Sequence, residues 1–128
     1  MPQTQMASSI AACHACALAC DRCADACLHE ANVNAMAECI ALDIDCADIC
    51  RVAAAYMGRN SPLAAAVCAT CAEVCEHCQE ICGRYQMDHC KACAEACRVC
   101  ATECRAMAAN VASPPHRSPD EVVAGLRQ

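Results

Sequence analysis

The sequence predicts an all-α protein, an antiparallel up-down-up-down four-helix bundle with a cysteine-lined core. Three observations predict it. Cysteine recurs in steps of three and four residues, alanine is abundant while glycine is scarce, and turn-forming residues fall between the cysteine groups. Steps of three and four are the a and d positions of a heptad, so the cysteines of each group share one stripe of a helix. Alanine is the best helix former, and the background in which the cysteines sit reads as helix almost throughout.

The first helix, over 5–30, carries Cys13, Cys16, Cys20, Cys23 and Cys27, with Asp21, Arg22 and Asp25 on its outer face. Asn32 and Asn34 are the best breaks before a second helix over 34–57, which carries Cys39, Cys46 and Cys50. Continuing its heptad puts Met36, Asp43, Ala53 and Met57 on the same inward stripe. Gly58 can end that helix, and Ser61 with Pro62 supplies an N-cap and a first-turn proline for the third, over 62–83. That helix holds Cys68, Cys71, Cys75, Cys78 and Cys82, with Glu73, Glu76 and Glu80 outside. Gly83 and Asp88 bracket the turn into the fourth helix, over 88–110, with Asp88 a good N-cap. Its cysteines are Cys90, Cys93, Cys97, Cys100 and Cys104, and Glu95, Arg98 and Glu103 face out. Ser113-Pro114-Pro115 breaks the tail 111–128, where Ser118, Pro119 and Glu121 could start a short extra helix. Short connections make successive helices antiparallel. The length of 128 residues suits one domain over 1–128.

Composition narrows the function. A net charge of −6 with no Trp or Phe argues against nucleic acid, which needs a basic face and stacking aromatics. No apolar run is long enough to cross a bilayer. The stretch Met1 to Cys20 has no Lys or Arg ahead of its apolar residues, so the expected location is the cytosol. There thiols stay reduced, and 18 cysteines point to metal rather than to disulfides. No Ser, His and Asp constellation or Gly-rich phosphate loop appears, and mid-helix cysteines in a closed stripe are poor nucleophiles, so no enzyme is expected.

Soft thiolates select Cu(I), zinc or iron-sulfur clusters. The repeat C-x2-C-x3-C-x2-C-x3-C differs from the ferredoxin run and lies on rigid helix instead of a wrapping loop. Zinc needs a closed tetrahedron, which a continuous thiol tube is expected to supply only by chance. Cu(I) accepts two or three thiolates, and cysteines one helical turn apart can clamp it while sharing sulfurs with the next ion. Charge makes the same choice, because one monovalent ion per thiolate cancels the buried charge with none left over. Isolated pairs would hold about 9 ions and a fully bridged array about 18. Two alternatives stay open: a zinc or cadmium thiolate buffer of metallothionein type, saturating at about four or five ions, and a thiol redox protein.

Antiparallel order gathers Met6, Met57 and Met107 at one end, near Cys13, Cys50, Cys68 and Cys104. Ile10, Leu63, Val67 and Val111 surround them, which favours an apolar plug over a thioether funnel. The other end collects Cys27, Glu30, Met36, Cys39, Asp43, Cys82, Tyr85, His89 and Cys90, and is the expected mouth. Asp43 and His89 are candidate first receivers of metal, and Met36, Met57 and Met107 candidate auxiliary ligands. A lone buried carboxylate is costly, so Asp43 should contact a metal ion, a histidine or water. His14, His29 and His77 map to solvent and His116 to the tail.

With inward cysteine stripes on four helices, a repeated five-cysteine motif and no export signal, the chain resembles the copper storage proteins, specifically the cytosolic branch called Csp3. The resemblance covers roughly Met6 to Asn110. It implies a homotetramer of four-helix bundles storing many Cu(I) ions along the lumen. A copper chaperone or a cuproenzyme recipient is the candidate protein partner. The three-cysteine second helix is the one departure, leaving gaps in one wall.

Overall fold

The computed structural model describes residues 3–110 together with Asp120 and Ala124. Its elements are α1 (Gln3–Leu28), a 3-10 turn (Val33–Met36), α2 (Ala37–Gly58), α3 (Ala64–Cys82) and α4 (Asp88–Asn110). The extra C-terminal helix expected from Ser118, Pro119 and Glu121 lies outside the described residues.

The breaks depart from expectation in instructive ways. Between α1 and α2 the chain tightens, with the Ala35 N–H bonded to Asn32 O at 2.9 Å, so the predicted start at 34 is 3-10 turn and α2 begins at Ala37. No side chain caps that start. At the next corner α2 ends at Gly58, but the left-handed residue is Asn60, with φ 54°. Asparagine tolerates that region because its short side chain bonds locally. Ser61 and Pro62 lie in the turn and not in α3: the Ser61 Oγ accepts from the Leu63 N–H at 3.1 Å, and the helix starts at Ala64. At the third corner Gly83 closes α3 in ordinary right-handed geometry, where a Cβ would meet Gln79 O at 2.8 Å. Asp88 is the first residue of α4 instead of the residue before it.

Each helix packs against two others, in the pairs α1–α2, α2–α3, α3–α4 and α4–α1, which closes a square around one axis. Cross-lumen sulfur contacts fix the directions. Cys13 meets Cys104 and Cys27 meets Cys90, so α1 and α4 are antiparallel. Cys16 meets Cys46 and Cys23 meets Cys39, and likewise Cys39 meets Cys82 and Cys50 meets Cys71, which reverses α2 against both α1 and α3. Buried alanines, including Ala17, Ala47, Ala54, Ala72 and Ala101, fill the core beside the thiols. Polar pairs such as Arg105 with Glu76 and Arg51 with Asp21 tie adjacent helices outside.

Candidate metal centre

All 18 cysteines are fully buried and none is in a disulfide. The heptad rhythm accounts for this, since residues three and four apart stack on one face of a helix. Within helices, Cys16 and Cys20 lie 3.9 Å apart and Cys78 and Cys82 3.8 Å. Across the lumen, Cys46 and Cys75 are at 3.5 Å and Cys16 and Cys97 at 3.7 Å. From Cys13 to Cys27 the column runs about 21 Å at the helical rise. One pair is closer than the rest: Cys39 and Cys82 are at 2.8 Å.

Groups of four sulfurs within 4.8 Å of one another recur along the column. They include Cys13, Cys71, Cys100 and Cys104; Cys16, Cys46, Cys50 and Cys75; Cys20, Cys78, Cys93 and Cys97; and Cys23, Cys27, Cys39 and Cys90. Tetrahedral groupings are therefore a regular feature, and the expectation that they arise only by chance is corrected. Four antiparallel stripes with one repeat stack in layers, which a single helix does not reveal.

Asp43 fills the gap in the α2 wall and is fully buried. Its Oδ1 accepts from the thiols of Cys93 at 3.0 Å, Cys78 at 3.4 Å and Cys82 at 3.4 Å, and its Oδ2 from Cys39 at 3.8 Å. The sequence-stripe placement of Asp43 is thus what the structure has, but its partners are thiols, not histidine. Burial first, and then the nearby Cys93, pushes its carboxyl far above the ordinary carboxylate range. Burial likewise pushes the Cys90 thiol up to about 12. Asp43 and Cys90 therefore keep their protons until a cation replaces them, whereas hydrogen bonds from neighbouring thiols, Cys100 first for Cys13 and Cys39 first for Cys23, hold those two thiols below the ordinary range.

At the Cys27–Cys90 end, the Tyr85 hydroxyl donates to Ala35 O at 2.7 Å, pinning the α3–α4 connection over the 3-10 turn. His89 is partly buried, its Nε2 has no hydrogen-bond partner, and Glu30 Oε1 lies 3.8 Å away. Met36, the last residue of that 3-10 turn, is fully buried. At the other end Met57 and Met107 are fully buried, and Met6, Ile10 and Val67 pack partly buried against the core. Leu63 is 53% exposed and does not seal that end, because the turn before Ala64 carries it outward. Val111 lies outside the described residues. His14, His29 and His77 are exposed.

Ser9 was missed at the sequence level. It continues the α1 stripe four residues before Cys13 and is fully buried. Its Oγ donates to Glu103 Oε2 at 3.3 Å, and Gln5 and Ser8 bond the same carboxylate at 3.0 and 3.1 Å. The signal was present as one more step of four, occupied by a residue that does not bind soft metal.

No helix among the described residues is long and apolar enough to cross a membrane. A family model described as "Csp: Copper storage protein" matches residues 2–109. The Cu(I)-bound copper storage protein BsCsp3, the Csp3 of Bacillus subtilis, is 44% identical with a TM-score of 0.78, over 81% of this chain and 98% of that one. A cytosolic copper storage protein from Streptomyces lividans, solved during copper loading with five coppers, is 41% identical with a TM-score of 0.82, over 85% of this chain and 96% of that one. The uncharacterized cysteine-rich protein YhjQ of Bacillus subtilis is 47% identical over 64 residues, 50% of this chain and 59% of that relative's length.

Proposed function

The chain belongs to the copper storage protein family, and from that premise we propose that it holds many Cu(I) ions in its lumen on inward-facing cysteine thiolates. The carrying observation is the burial of all 18 cysteines in one column, where most contacting sulfurs lie 3.5–4.0 Å apart. A Cu(I) ion between two such sulfurs can share each with its neighbour, so loading approaches one copper per cysteine. The four-sulfur groups also suit a zinc or cadmium tetrahedron. Charge favours copper nonetheless: a divalent ion among four thiolates leaves two negative charges in a dry core, whereas one Cu(I) per thiolate leaves none.

The ligand set is the 18 cysteines, with Asp43 as an oxygen donor inside the column and His89 as the first receiver at the mouth. Met36, Met57 and Met107 are auxiliary thioethers at the two ends. No catalytic residue is assigned, and residues 1–128 act as one domain. The cytosol, where thiols stay reduced, is the compartment that suits this chemistry. A homotetramer is the assembly proposed, supplied by a copper chaperone or drawn on by a cuproenzyme.

Anaerobic Cu(I) titration of the reduced chain with metal analysis tests the reading. Between about 9 and about 18 tightly held ions per chain are expected. Saturation with Cu(I) at about four or five ions, as for separate tetrahedral sites, would overturn it.

A further inference from the structure

The geometry points to a second activity at the mouth: the chain takes up Cu(II) there and reduces it to Cu(I), with Cys39 and Cys82 as the electron-donating pair. This rests on the storage reading and extends it to the other oxidation state of the cargo.

Three observations meet in one place. The Cys39 and Cys82 sulfurs are 2.8 Å apart, while the other sulfur contacts in the lumen are 3.5–4.0 Å. Reacting atoms held within ~3–3.5 Å are in a near-attack arrangement. Both residues sit near helix ends, Cys39 in the first turn of α2 and Cys82 as the last residue of α3, where the backbone yields most easily. At the rim, the His89 Nε2 has no hydrogen-bond partner and Glu30 Oε1 lies 3.8 Å from it. An imidazole and a carboxylate suit Cu(II), which the soft thiols below do not select. The path between them is short: Cys27 meets Cys90 at 3.8 Å, Cys90 meets Cys23 at 3.9 Å, and Cys23 meets Cys39 at 4.0 Å.

The chemistry balances without another reactant. Two Cu(II) ions each accept one electron, the two S–H bonds of Cys39 and Cys82 break, one S–S bond forms, and two protons leave to water. Coordination of the thiol to the metal removes its proton first, so the high thiol pKa of the empty site is no obstacle. Both Cu(I) products are released beside thiolates that bind them. The step is stoichiometric, not a turnover, until a thiol reductant reopens the disulfide.

The test mixes fully reduced, metal-free protein with two equivalents of Cu(II) chloride under argon. The expected result is rapid loss of the Cu(II) paramagnetic signal, loss of two of the 18 thiols, and a non-reduced peptide map joining Cys39 to Cys82. C39S and C82S should each slow the signal loss by about tenfold or more, and H89A should slow it without moving the disulfide. A disulfide mapped elsewhere, or unchanged rates in both cysteine variants, would overturn the assignment. The wild-type map tests the pair even if a variant folds poorly. Parallel Cu(I) titration separates the two readings: normal Cu(I) loading without Cu(II) reduction removes only this activity, while failed Cu(I) loading removes the storage role.

Discussion

A carboxyl without water around it keeps its proton, and Asp43 accepts hydrogen bonds from four thiols with no solvent exposure. Its folded pKa is raised well above the ordinary 3.8, chiefly by burial. Below that ordinary value both folded and unfolded chains are protonated and nothing is lost. Above it the unfolded chain alone ionises, so the metal-free fold loses about 1.4 kcal/mol per pH unit until the raised folded value is reached. Asp43→Asn should therefore raise the thermal midpoint of the metal-free protein, with a gap that widens between about pH 5 and pH 8. A gap that narrows with pH would mean the carboxyl is ionised in place. At the rim, His89→Ala should slow Cu(I) uptake while leaving the final ion count unchanged, as followed by stopped-flow absorbance at the thiolate-to-copper band. Unchanged loading kinetics would remove His89 from the uptake route.

Each helix is a thiol stripe flanked by small side chains, and the alanines set how closely the stripes approach. Ala72 on α3 has no exposed surface and is packed in the same core cluster as the sulfurs. A larger side chain there cannot turn to solvent and must push on the packed core, so Ala72→Leu should cost about 1–3 kcal/mol through overpacking. Urea titration would read this as a lower midpoint with an unchanged slope, whereas an unchanged midpoint would mean the seam has slack. The corners between helices carry the irregular backbone. Asn60 takes the left-handed turn after α2, and Gly83 passes close to the Gln79 carbonyl after α3.

Taken whole, thiols can carry protons when the bundle is empty and give them up to Cu(I) when it fills, so folding does not have to wait for metal. The metal-free chain should give the far-UV circular dichroism of a helical bundle, and Cu(I) should raise its thermal midpoint. Each site with free ion at a hundredfold its dissociation constant adds about 2.7 kcal/mol. A metal-free chain that is unfolded, gaining helix only with copper, would contradict this. Light scattering after size exclusion should report four chains of 13.4 kDa each if the homotetramer forms.

Much of this was legible in the residues alone, because a heptad is a local rule. Steps of three and four fix which side chains share a face, so the buried stripe from Met36 through Asp43 to Met57 follows from spacing without knowledge of the neighbours. Helix ends were legible to within a few residues where glycine or proline stood, and less so at Asn32, where a 3-10 turn consumed the expected start of α2. Relations across the lumen belonged to the tertiary structure. Which sulfurs gather in fours, which pair comes to 2.8 Å, and which thiols surround Asp43 depend on the relative height and rotation of helices far apart in sequence. Periodicity sets each stripe, but only packing sets the register between stripes.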